Sequence, residues 1–265
     1  MSKLHVISTG RNPNNAVRNC IESIARQTVL PDSHTVIDDM SSDETPEILK
    51  EIDKKGPAYL KIINNTERKY RLKNIYDHVI TKSPEDIICI VDSDDWLAKK
   101  NVLFTIKEAY KRDSKLEYIY TNFRCAHETE DNYGESDGPS CPAHMRRIPS
   151  KDWYPYRDPW ITSHMCTFKV KAVMSIPVEN FLDWDGKWFR MATDHALAMP
   201  MLHILRERDG DYSAVKYIEK PLYVHHWAED PNTPRVGEQD ESHIAAFAGQ
   251  CADFIRQRGY IKGSD

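Results

Sequence analysis

The sequence predicts an α/β fold in which a mainly parallel central sheet carries helices on both faces. Three observations predict it. Short apolar runs alternate with stretches of helical periodicity through the first half of the chain. Polar and acidic residues gather where the apolar runs end, and no repeat or linker breaks the pattern. Such alternation builds βαβ units, whose strands lie parallel because each connection crosses back over the sheet.

The elements follow in order. Leu4 to Ser8 reads as a short buried strand, ending in the turn-like run Thr9-Gly10-Arg11-Asn12-Pro13. From Ala16 to Gln27, Val17, Cys20, Ile21 and Ile24 recur at helical spacing. Thr35 to Asp38 is a second strand and runs into Asp39; Ser42 or Asp43 is placed to cap a helix from Glu44 to Lys54. Leu60 to Asn64, Leu72 to Thr81, Ile87 to Val91 and Asn101 to Arg112 continue as strand, helix, strand and helix. The second half is less regular. Strands are expected at Tyr118 to Phe123 and Met165 to Val170, and another from Tyr217 to Val224, interrupted by Pro221. Helices are expected at Asp194 to Glu207 and Asp240 to Arg258, and polar loops over 128–140 and 228–237. One domain over 1–265 is expected, in three parts: 1–100, 101–235 and a C-terminal helix over 236–265.

Composition narrows the function classes. A formal net charge of -5 over 265 residues gives no broad cationic face for gripping nucleic acid. The six cysteines contain no Cys-x-x-Cys pair, and Cys20 and Cys89 fall in apolar stretches that suit buried thiols. No apolar run approaches the ~20 residues of a membrane span, and the chain opens on a strand, so a cytoplasmic protein without a signal peptide is expected.

The most informative segment is Asp92-Ser93-Asp94-Asp95-Trp96 at the end of the fourth strand. Three carboxylates in four residues repel one another and persist most readily around a hard cation such as Mn²⁺ or Mg²⁺. Asp38 and Asp39 end the second strand, and in a parallel sheet both strand ends open on one crevice.

These segments resemble those of glycosyltransferase family 2, which has the GT-A fold, a Rossmann-like sheet followed by an acceptor-binding C-terminal half. His5-Val-Ile-Ser-Thr-Gly-Arg-Asn12 is similar to the family's opening strand and turn. Val36-Ile-Asp-Asp-Met-Ser-Ser-Asp-Glu-Thr45 resembles its Val-Asp-Asp-Gly-Ser-x-Asp-x-Thr segment, and Asp92-Ser-Asp94 its Asp-x-Asp motif. The resemblance implies a nucleotide-sugar donor, with UDP favoured, bound over residues 1–100. It implies that Thr9 and Arg11 hold the nucleoside and that Asp38 or Asp39 accepts from the base. Arg71, Lys73 and Asn74 lie near base and ribose, where Arg-Leu-Lys-Asn replaces the family's Ala-Arg-Asn. Asp92 with Ser93 meets the ribose, Asp94 binds the metal, and Asp95 is a helper or cap.

Inverting transfer needs a base for the acceptor hydroxyl. The resemblance points to Asp194, in Met191-Ala-Thr-Asp-His-Ala, where Thr193 replaces the family's first acid; Asp183 and Asp185 are competitors, and N-capping is the alternative role. Tyr223-Val-His-His226 matches a Tyr-x-x-His pattern in relatives, which makes His226 the preferred further metal ligand and His225 the alternate. Adjacent strand side chains face opposite ways, so only one of the two reaches the metal. Trp160, His164, Trp184, Asp185 and His195 are candidates for the sugar or acceptor pocket.

The expected activity is transfer of a sugar, a hexose as the commonest donor, to an acceptor hydroxyl on a glycan, lipid-linked sugar, protein or modified nucleobase. Two other classes compete. A nucleotidyltransferase would need a Gly-rich phosphate loop, and Thr9-Gly10-Arg11-Asn12 has one glycine. A catalytically impaired nucleotide-sugar-binding protein would bind nucleotide without transfer.

Overall fold

The computed structural model describes residues 2–127, 147–162, 164–227 and 241–263. The loops expected over 128–140 and 228–237, together with Cys141 and Ser163, lie outside the described residues. Strands are β1 (Leu4–Gly10), β2 (Ser33–Asp38), β3 (Leu60–Asn64), β4 (Ile87–Ile90), β5 (Trp96–Leu97), β6 (Tyr118–His127), β7 (Cys166–Lys169) and β8 (Val215–Trp227). Helices are α1 (Ala16–Ala25), α2 (Thr45–Asp53), α3 (Tyr70–Val79), α4 (Val102–Arg112), α5 (Val170–Met174), α6 (Thr193–Asp209) and α7 (Glu241–Arg258), with a 3-10 turn at Val178–Phe181.

The strands form one sheet in the order β3-β2-β1-β4-β7-β6-β8-β5. From β3 to β4 every pairing is parallel, as the alternating sequence predicts; β7 then joins β4 and β6 antiparallel. Both faces of β1 and β4 are buried, which explains their nearly continuous apolar runs. Along β4, Ile88 and Ile90 enter the core shared with Leu72 and Ile75 of α3, while Ile87, Cys89 and Val91 pack with Cys20, Val102 and Ile106 of α1 and α4. Each such side chain contributes about 1.5–3 kcal/mol by leaving water.

The strand expected to break at Pro221 instead continues through it as an irregularity. β6 and β8 pair in parallel from Tyr118 to His127, with register shifts on both sides of Asn122, which faces Pro221. Proline has no N–H to give the ladder. Asn122 substitutes: its Nδ2 donates to the Glu219 carbonyl at 3.1 Å and its Oδ1 accepts from Phe123 N at 2.9 Å. The two-residue β5 was not anticipated; its Trp96 and Leu97 pair with Val224 and Tyr223. That pairing ties the acidic segment to β8.

The parallel half also buries a histidine. His34 on β2 is 1% exposed, with Nε2 3.0 Å from Ser8 Oγ on β1. Burial pushes its pKa from 6.5 down to about 3. The stabilisation of the neutral ring is complete above the unfolded pKa and is lost as pH falls through 6.5 toward 3, because the unfolded chain takes up the proton first. Acidification from pH 6.5 to 5 is expected to remove about 2 kcal/mol through this residue, at 1.36 kcal/mol per unit. Urea unfolding at both pH values checks it: the His34→Gln variant should lose less stability over that interval than the wild type.

Candidate active site

The C-terminal ends of β1, β2 and β4 open on a cleft of about 990 Å³, closed on the far side by the start of α6 and by α7. Thr9, Gly10 and Arg11 line it from β1 and the turn that follows, Asp39 from the end of β2, and Asp92 to Asp95 from the end of β4. Across from them stand Arg190, Met191, Thr193, Asp194 and, from α7, Ala246, Phe247 and Gln250.

Of the paired aspartates, Asp39 faces the cleft and Asp38 does not line it. Alternation along β2 turns Asp38 into a tight turn, where Ser41 donates to it through both N and Oγ. Asp39 accepts from Asn65 Nδ2 (2.9 Å), Lys69 N (2.9 Å), Tyr70 N (2.9 Å) and Arg68 Nε (3.2 Å). Burial would raise its pKa; these donors outweigh it and hold the carboxyl below its usual range. Two successive amides reach one carboxylate because Tyr70 adopts φ +62°, a left-handed conformation uncommon for a bulky residue and stored at functional sites.

Arg71 lies between the two halves. Its Nε donates to Asp92 at 2.7 Å and a terminal nitrogen to Thr193 Oγ1 at 3.2 Å. Lys73, by contrast, reaches back to Asp77 and lies 5.1 Å from the Trp188 ring, outside the cleft. Asn74 is buried beneath it, donating to Thr9 Oγ1 at 3.3 Å and accepting from Asn65 at 2.8 Å. It supports the opening turn rather than lining the space. Ser93 is 2% exposed and its Oγ has no partner among the described residues. A Cβ on Gly10 would fall 2.0 Å from that oxygen, so the glycine is what permits the close approach of β1 to the acidic segment.

Asp94 lines the cleft beside Asp92. Asp95 turns inward, is 1% exposed, and accepts from Tyr223 Oη (2.6 Å), His226 N (2.8 Å) and His225 Nδ1 (3.1 Å). Burial alone would push the His225 imidazole down; the charge of Asp95 overrides it and brings the pKa up to about 9. Of the two histidines, His225 faces the cleft. The side chain of His226 lies against Trp96, ring centroids 5.7 Å apart, on the opposite face of β8. Strand register puts His225 on the face of Tyr223 and His226, the preferred candidate from sequence, on the other. His164 stacks on both Tyr223 and His225, at 5.3 and 5.2 Å. Ligand atoms of Asp92, Asp95 and His164 lie within 4.8 Å of one another, an oxygen-rich set with one imidazole that suits Mn²⁺ or Mg²⁺.

Asp194 stands in the first turn of α6 but does not cap it: the cap position is Ala192, at φ 50°, and no side chain bonds there. Its carboxylate instead meets His195 Nδ1 at 3.3 Å. Partial burial favours the neutral acid, but His195, Arg71 and His164 outweigh it and hold the carboxyl well below the usual range. The side chain remains 48% open, so it is ionised and reachable from the cleft. Trp160 stacks on His195 at 4.2 Å. Behind Arg71, His164 and Asp194 a chamber of about 190 Å³ continues inward, with Trp160, Leu197 and Ala198 in its wall.

Trp184 and Asp185 fall outside both spaces. Trp184 packs edge-on against Phe247 and Phe254, and Asp185 belongs to a turn closed by Asp183, whose Oδ1 accepts from its amide at 2.9 Å. Sequence reasoning missed Arg68, Tyr70, Arg190 and the α7 residues. Proximity in sequence to Arg71, for Arg68 and Tyr70, and to Asp194, for Arg190, was the available signal; for α7 there was none.

A parallel sheet whose strand ends present Asp39, Asp92 and Asp94 to an acid on a later helix defines a glycosyltransferase with the GT-A fold. The chain belongs to glycosyltransferase family 2: the family model, "Glycosyl transferase family 2", matches residues 6–176. No curated protein matches the chain in sequence. Similar solved structures include S. aureus TarS 1–349, at 16% identity and TM-score 0.58, covering 96% of this chain and 71% of that one. Glucosyl-3-phosphoglycerate synthase from Mycobacterium tuberculosis, in complex with Mn²⁺, UDP and glucosyl-3-phosphoglycerate, aligns at 12% identity and TM-score 0.58, covering 97% and 80%. The mannosyltransferase PcManGT from Pyrobaculum calidifontis, with GDP-Man and Mn²⁺, aligns at 15% identity and TM-score 0.55, covering 96% and 62%. At these identities the likeness shows the fold. Among the described residues no helix is long and apolar enough to cross a membrane.

Proposed function

We propose that this glycosyltransferase moves a hexose from a UDP-sugar to an acceptor hydroxyl with inversion, Asp194 serving as the base. The observation that carries the reading is the meeting of Asp39, Asp92, Asp94 and Asp194 on one cleft. Asp39 accepts the base N–H. Thr9 and Arg11 flank the nucleoside, and Asp92 takes the ribose. Asp94 would hold the divalent cation with Asp92 and His164 beside it, and His225, the member of the pair that faces the cleft, would join them on giving up a ring proton as the metal binds. A bound Mn²⁺ or Mg²⁺ would neutralise the diphosphate as it leaves. Arg71 adds a fixed positive charge there. Asp194 takes the acceptor proton from the opposite side of the cleft. The Mn²⁺ complexes of the synthase and the mannosyltransferase support a metal here, and the UDP of the synthase supports that nucleotide.

Thermal unfolding with UDP, GDP and CDP, each with and without Mn²⁺, tests the reading. A ligand at 100 times its Kd stabilises by about 2.7 kcal/mol, a Tm rise of roughly 5–11 °C at 2–4 °C per kcal/mol. A manganese-dependent rise with UDP alone is expected. A larger rise with GDP would reassign the nucleotide, and no rise with any of them would remove donor binding from this cleft.

A further inference from the structure

One cation in the cleft is unspent by the scheme above. Arg190 lines the wall that leads into α6, four residues before Asp194 and on the same face as Met191 and Thr193. Its guanidinium is positioned by aromatic faces: Cζ lies 5.0 Å from the Phe247 ring centroid and 6.0 Å from that of Tyr70. Among the described residues it has no carboxylate partner and no hydrogen bond. Stacking fixes the plane of a guanidinium while leaving its five N–H donors uncommitted, which is how an arginine is prepared for a bidentate anion.

The charges facing it make the point sharper. Arg68 approaches the same Tyr70 ring, with Cζ 4.5 Å from its centroid. The carboxylates of the cleft are engaged elsewhere: Asp39 with Arg68, Asp92 with Arg71, Asp95 with His225 and Asp194 with His195. The donor diphosphate is matched by the cation held at Asp94 and by Arg71. An anion for Arg190 therefore has to arrive with the other substrate. The acceptor hydroxyl must come within about 3 Å of Asp194, and the short sequence separation keeps Arg190 within a small molecule's length of that point.

We propose that the acceptor is an anionic molecule whose phosphate or carboxylate is bound by Arg190, close to the hydroxyl that attacks. The assignment rests on Asp194 being the base and on UDP-sugar as donor. It makes Arg190 a specificity-determining residue for the acceptor, with Tyr70 and Phe247 as its supports.

The test is calorimetry on the full chain saturated with UDP and Mn²⁺, titrated with glycerol 3-phosphate, glycerate and neutral glycerol. Wild type is expected to bind one of the two anions at least tenfold more tightly than glycerol. Arg190→Glu should abolish that preference and Arg190→Lys should keep part of it, with UDP affinity within about twofold of wild type in both. Arg190 is exposed, so both variants should fold. Equal binding of glycerol and both anions would overturn the proposal. So would a tenfold loss of UDP affinity in Arg190→Glu, which would move Arg190 to the donor diphosphate. Failure of wild type to bind UDP at all would instead bring down the donor reading beneath it.

Discussion

Asp194→Asn is expected to lower turnover of the UDP-sugar by about 10²–10⁴-fold, the range that a positioned general base contributes, while leaving UDP affinity in Mn²⁺ within about twofold. The separation follows from the geometry. Asp194 comes from the start of α6 and touches His195, whereas the proposed nucleotide ligands come from β1, β2 and β4. The carboxyl is held well below its usual range, so the wild-type group is ionised throughout the neutral range and the amide removes a charge as well as a proton acceptor. Steady-state release of UDP, followed beside calorimetric UDP binding, measures both quantities. Turnover unchanged in the variant would move the base elsewhere, and Asp183 and Asp185 are poor replacements because neither lines the cleft.

Asp95→Ala is expected to have the largest effect on stability. Its carboxylate is buried and satisfies Tyr223 Oη, the His226 amide and the His225 imidazole together. Removing one member of a buried ion pair costs about 3–5 kcal/mol because the partner is left desolvated and uncompensated. At 2–4 °C per kcal/mol that is a Tm lower by roughly 6–20 °C. The His225 pKa, about 9 in the wild type, should fall once Asp95 no longer opposes burial, which NMR titration of the ring reads directly. The double variant Asp95→Ala/His225→Ala should recover part of the lost stability, since it leaves no orphaned charge. A variant with wild-type Tm would mean that water replaces the carboxylate. In the wild type the pair ties β8 to the acidic segment, so the proposed metal site shares in the loss.

The parallel half was legible because each local signal agreed with the next. Apolar runs at 4–8, 60–64 and 87–91 match β1, β3 and β4 closely, and in β1 and β4, buried on both faces, little else is admitted. The acidic segments were legible for a different reason: Asp39, Asp92 and Asp94 are too costly to cluster without a task, and motif order tied them to a family that the match over residues 6–176 shows. The nucleotidyltransferase alternative falls with that match.

Orientation was another matter. Asp38 or Asp39, His225 or His226, Arg71 or Lys73 are each pairs on one element, and sequence says only that the members point differently. The register of β8 against β6 and β5 turns His225 to the cleft, the turn at Ser41 takes Asp38 away from it, and Arg71 reaches Asp92 and Thr193 there. The far wall was wholly tertiary, because nothing local tells α7 that Phe247 will lie over Arg190, 57 residues earlier in the chain. By itself the sequence determined the sheet, the family and the acidic chemistry of the cleft, because hydrophobic period and charge cost are local properties. Only the tertiary structure decided which side chains face the cleft and which turn away from it. Those are set by register and by long-range packing, which no single segment encodes.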